Sequence, residues 1–198
     1  MTRTLRRTAI AVGAVLLAGT VAGGGAAAAG GTSGEAGRDG DAQEEVLLNL
    51  TPSSEQLAAC MPHARVKVEV DLTTDLVGFD SFEVEASGLP RNTSFTVFLI
   101  EQAGSPFGAA EYIGDITSDH KGRAENSFRL IVQEAFSSTL VNGQRVRVDL
   151  NQVGMWFADP KDDDFCLGPN SPVTPFDGDN EAGVQAFNSE DTTPLPAP

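Results

Sequence analysis

The middle of this chain alternates in twos. Val66, Val68, Val70 and Leu72 are interleaved with Lys67, Glu69 and Asp71, and Phe82, Val84 and Ala86 with Glu83, Glu85 and Ser87. Successive side chains of a strand point to opposite faces, so each run presents one apolar face and one charged face. A helix would scatter the same residues around its circumference. The alternation restricts the chain to half-buried β-strands whose greasy faces must be covered by another layer.

The pattern continues downstream. Phe95, Val97 and Leu99 share one parity, and Phe98 and Ile100 occupy the other, which marks a strand covered on both sides. Tyr112, Ile113 and Ile116 form a shorter run, followed by a turn at Ser118–Gly122. Phe128, Leu130 and Val132 come next. Residues 135–140 read equally as a helical turn or a crossover. Asn142-Gly143 is a hairpin signal, because both residues tolerate the positive φ of a type I′ turn. Val146, Val148 and Leu150 alternate with Arg145, Arg147 and Asp149; the two arginines are positioned for cross-strand pairing with Glu69, Glu83 or Glu85. Val153, Met155 and Phe157 follow, with Gly154 as a candidate bulge, and Val184, Ala186 and Phe187 as a last short strand. Seven or eight strands at this spacing, with no βαβ rhythm, predict an all-β antiparallel sandwich.

Upstream, Ser53 and Gln56 have capping-box spacing after Pro52 and predict a short helix from Ser53 to Ala59 that delivers Cys60. Before that, Arg3, Arg6 and Arg7 precede an uncharged run, Ala9 to Ala22, and small residues with an A-x-A site at Ala26–Ala29. This is the layout of a secretory signal peptide. The boundaries that follow are a signal at 1–29, a flexible Gly/acidic leader at 30–50, the sandwich at 51–188 and a disordered tail at 189–198.

Export makes the two cysteines informative. Cys60 and Cys166 flank the patterned region and are expected to pair. The formal net charge is -15 and becomes -18 once the three signal arginines are removed. A surface of that sign repels nucleic acid and anionic lipid, so the expected partner is an extracellular ligand or protein. No stable membrane insertion is expected after signal cleavage.

The stretch from Gly88 to Gly122 contains a G-L-P break, the strand Ser94-Phe95-Thr96-Val97, a second strand ending at Ile113-Gly114, and a T-S-D-x-x-G turn from Thr117 to Gly122. This phrasing resembles secreted immunoglobulin-like modules. With the export signal and single cysteine pair it is similar to secreted actinobacterial β-sandwich proteins. The resemblance implies an immunoglobulin-like sandwich and carries over no activity.

Three chemistries are written into candidate residues. Asp162, Asp163 and Asp164 are adjacent, and Asp177, Asp179 and Glu181 are spaced by two, a set of hard oxygen ligands suited to calcium if the two loops converge. The EF-hand pattern fails, with Ala182 and Asn188 at its glycine and bidentate positions. A second possibility is a small hydrolase using a carboxylate pair, although no pair among the many acids is distinguished. Ser118-Asp119-His120 has triad residue types, but adjacent side chains in one turn splay apart. Trp156, the single tryptophan, either packs under the C-terminal segment or serves as an exposed stacking platform. The leading expectation is a secreted, non-catalytic binding or structural module with no obligatory cofactor, and with calcium dependence and hydrolysis as alternatives.

Overall fold

The computed structural model describes residues 44–175, 181–190 and 192–196. In chain order its elements are β1 (Glu44–Pro52), α1 (Glu55–Cys60), β2 (Arg65–Leu72), α2 (Thr74–Val77), β3 (Asp80–Ser87), β4 (Ser94–Ile100), β5 (Ala110–Thr117) and β6 (Ala124–Leu130). They continue as β7 (Phe136–Val141), β8 (Gln144–Asp149), β9 (Gln152–Phe157), α3 (Asp164–Leu167), β10 (Thr174–Pro175), β11 (Glu181–Ala182) and β12 (Gln185–Asn188).

Eight strands form one antiparallel sheet in the order β5-β4-β9-β12-β1-β2-β3-β6. β1 is the hinge of this sheet. Its residues from Glu44 to Leu50 pair with β2, whereas Thr51 and Pro52 pair with β12. β1 therefore joins two halves of the sheet, β5-β4-β9-β12 and β2-β3-β6. Their inward residues fuse into one core, which includes Leu48, Val68, Phe82 and Val84 from one half and Phe95, Val97, Met155 and Phe187 from the other.

The outer edges of the halves come together, so the sheet nearly closes into a barrel. Asn126 Nδ2 on β6 donates to the Asp115 carbonyl on β5 at 2.9 Å. Beside it the Phe128 ring occupies the space a Cβ at position 114 would need, which is why β5 carries glycine there.

Three expectations are corrected. The leader does not extend to residue 50, because residues 44–50 are a strand inside the sheet. Leu48 and Leu50 are buried there, and β2 and β12 supply the backbone partners that an isolated strand lacks. The tail does not begin at 189. Ser189 is buried and its N–H donates to Val153 O at 3.0 Å, while Leu195 is 2% exposed and its N–H reaches Asn151 O at 2.8 Å. One leucine gives this proline-rich stretch enough apolar area to dock. The anticipated signal at 1–29 and the leader residues 30–43 lie outside the described residues.

The third correction concerns β7 and β8. Asn142 and Gly143 do form a two-residue turn with φ of 51° and 80°, joining Val141 to Gln144. The resulting pair is not a layer of the main sheet but a separate two-stranded ribbon, most of whose residues are exposed. Arg147 accordingly bonds Asp149 at 2.5 Å and lies over the Phe136 ring, and Arg145 bonds Ser138, rather than either reaching the glutamates of β2 and β3. The bulges also differ from the expected one at Gly154. They fall in β5 at Ile113 and in β12 at Ala186, where register shifts by one residue.

Candidate functional site

One end of the sheet carries a cleft of about 550 Å³. It is walled by the start of α1, by the 104–107 loop, by the loop after α3 and by the chain running through β12. How the sequence builds each wall explains what the cleft can hold.

The first wall is α1. Ser54, not Ser53, is its N-cap, accepting from Leu57 N at 3.2 Å. Ser53 instead turns outward and donates to the Gln185 carbonyl, joining the helix start to β12. Leu57 is buried and fixes the rotation of the helix. At its C-terminal end Cys60 bonds Cys166 of α3, with a Cα–Cα distance of 5.6 Å. Gln56 Nε2 adds a bond to Cys166 O at 3.0 Å. The disulfide thus ties the helix after β1 to the segment after β9. Because β1 precedes it, the bond does not lie ahead of the first strand.

The second wall is held by Asp163. This carboxylate is fully buried, accepts from Val184 N at 2.9 Å and takes the Ser171 hydroxyl as its second donor. A single side chain therefore fixes both the loop after α3 and the entrance to β12. Its charge is answered by hydrogen bonds from the protein itself.

The third wall rests on Trp156. The ring is 1% exposed, which rules out the stacking platform. It faces away from the main core, as its parity on β9 requires, and joins a second cluster with Phe98 and Ile100. Gly154 leaves the room that the indole fills. Phe107, half-buried and lining the cleft, stands edge-on to Trp156 with ring centroids 4.9 Å apart. Beneath the cleft floor Gln185 Nε2 donates to Ala103 O at 2.9 Å, and Asn188 Nδ2 donates to Gln185 Oε1 at 3.2 Å.

The cleft thus presents neutral hydroxyl and amide groups and one aromatic side chain at its surface. Among the described residues Glu190 is the one carboxylate in its lining. Among the described residues no Lys, Arg or His lines it, and none supplies a second carboxylate beside Glu190.

The acids anticipated for calcium fall into different roles. Asp163 is the buried tie just described, Asp164 opens α3, and Glu181 is exposed on β11. Asp177 and Asp179 lie outside the described residues. Asp162 is partly buried at the end of the 3-10 turn from Pro160, and burial, followed by the nearby Asp159 charge, raises its pKa. A raised folded-state pKa means stability that is fully present below the unfolded pKa and is lost as pH rises through the folded one. Asp162→Asn is therefore expected to raise the melting temperature at neutral pH, with the gain vanishing in acid. A pH series of thermal melts reads this directly, and a gain that grows in acid would reverse the assignment.

Among the described residues, Glu45, Glu69 and Asp71 lie close together on the outer face of β1 and β2. Lys67 already supplies a cation there, 2.6 Å from Glu69 Oε2, and that hydrogen bond is the largest influence raising the lysine pKa. His63 and His120 are both exposed. Sequence reasoning did not identify Asp163, Phe107 or Gln185 as cleft builders. Each is one of many residues of its type, and only the fold distinguishes it.

No family model matches the chain, and no curated protein matches it.

Proposed function

We propose that the mature chain is secreted and acts outside the membrane as a non-catalytic, immunoglobulin-like β-sandwich module, and that the cleft beside the disulfide binds an uncharged, hydroxyl-bearing ligand such as a saccharide segment. The observation that carries this reading is the cleft's construction: walls fixed by a covalent bond and a buried carboxylate, around a lining of neutral polar groups and the Phe107 ring. Preorganised walls reduce the ordering cost of binding. Aromatic faces suit the apolar side of a sugar ring, and hydroxyl and amide groups suit its edge. The two half-sheets with a common core support the sandwich reading. The cysteine pairing supports an oxidising, extracytoplasmic setting. Among the described residues, no helix is long and apolar enough to cross a membrane.

Calorimetric titration of the oxidised protein with a panel of neutral oligosaccharides tests the proposal. At least one member is expected to bind and to be recovered chemically unchanged. Phe107→Ala is expected to weaken that binding about tenfold, equivalent to roughly 1.4 kcal/mol. Cleavage of the bound member would favour the hydrolase reading, and heat on adding millimolar calcium alone would favour the calcium reading. No heat from any neutral probe would end the saccharide assignment.

A further inference from the structure

The β7–β8 ribbon leaves several large apolar side chains exposed. An isolated two-stranded hairpin is marginal in water, yet this one leaves Phe136 52% and Leu140 65% exposed, with Val141 and Val146 exposed beside them. Its two edges differ. Val141 and Gln144 flank the two-residue turn and exchange backbone bonds, so 139 with 146 and 137 with 148 do likewise. The backbone groups of 136, 138 and 140 then point out of one edge, and those of 145, 147 and 149 out of the other. The β8 edge carries Arg145, Arg147 and Asp149, charges that discourage strand addition. The β7 edge carries Phe136, Ser138 and Leu140 and no charge.

We infer that the β7 edge pairs with the β7 edge of a second copy of this chain, antiparallel about a two-fold axis at Ser138. The sequence of the strand is self-complementary in that register. Ser138 faces its counterpart, and Phe136 of each copy lies opposite Leu140 of the other, so all three outward residues exchange backbone bonds with the partner. The two exposed large side chains become an aromatic–aliphatic cross-strand pair, counted twice. Two strongly acidic chains repel over most of their surfaces, whereas the β7 edge carries no charge of its own. The charged β8 edges cap the four-stranded product, so pairing stops at two copies. A six-residue edge covers much less than the roughly 1,600 Å² of a standard interface, so the dimer is weak and forms reversibly with concentration.

Sedimentation velocity of the full secreted chain across concentrations up to about 1 mM reads this, since that limit reaches millimolar dissociation constants. The average mass is expected to climb from one chain toward two. Ser138→Pro removes an outward N–H without touching the bonds to β8, and is expected to hold the protein at the mass of one chain. Leu140→Glu keeps the ribbon by facing its own Arg145 and puts a charge against the partner's ring; it too is expected to stay monomeric. A wild-type chain that remains monomeric throughout, or variants that dimerise as the wild type does, would overturn the inference.

Discussion

Replacing Cys60 and Cys166 together by serine is expected to destabilise the protein by about 4 to 5 kcal/mol. The bond spans a sequence separation of 106, and closing a loop of about 100 residues removes roughly 4.7 kcal/mol of unfolded-state entropy. Single domains are commonly stable by only about 5 to 15 kcal/mol, so the loss is a large share of the total. The damage is also local. α3 has four residues and cannot persist as an independent helix. Without the bond its position depends on Gln56 reaching Cys166 O and on Asp163 holding Ser171 and Val184. Urea unfolding of the double-serine variant against the oxidised wild type measures the effect. A stability loss of only a few tenths of a kcal/mol would show that the bond closes a contact the fold already makes without it.

Removing the Asp80 carboxylate is expected to cost nearly as much, about 3 to 5 kcal/mol for Asp80→Ala, because one buried and two part-buried amides then lose their acceptor. The residue is 1% exposed at the start of β3. One oxygen accepts from Thr73 N at 2.8 Å, Thr74 N at 2.9 Å and Thr74 Oγ1 at 2.7 Å. The other accepts from Val132 N at 2.8 Å. One side chain therefore caps the β2–β3 connection and anchors the chain where it leaves β6 for the ribbon. Asp80→Asn is expected to fall between wild type and alanine. Its amide can keep one oxygen on the Thr73–Thr74 loop but must then turn a donor toward the Val132 N–H. Asp71→Ala, on the outer face of the neighbouring strand, is the control and should change the unfolding free energy by less than about 0.5 kcal/mol. Equal effects at 71 and 80 would contradict the assignment.

These two residues show what alternation in a sequence reports. It gives the faces of β2, β3, β4 and β9 directly, because side-chain direction depends only on parity. It does not say which strand lies alongside. Residues 44–50 carry the same period as β2, yet a run of acids and glycines before them disguised a strand that joins the two halves of the sheet. The ribbon shows the converse. Val146 and Val148 alternate with arginines as an ordinary half-buried strand would, but nothing in a parity pattern states that a covering layer exists. Closure of the sheet rests on Gly114 against Phe128, two residues whose meeting across β5 and β6 is a property of topology. The cleft was legible only in its supports. Cys60 and Cys166 pair, as the even cysteine count suggests, and Trp156 packs on the parity opposite the main core. Asp80 and Asp163 could not be told from their exposed neighbours, because a carboxylate's role is set by the amides that surround it.

The most direct test of the cleft as the working surface is amide shift mapping on the oxidised protein with the tightest-binding neutral oligosaccharide. The account predicts that the shifted amides cluster at residues 53–57, 104–107, 170–172 and 184–190. Shifts centred instead on the charged outer face of β2 and β3, with those segments silent, would contradict it.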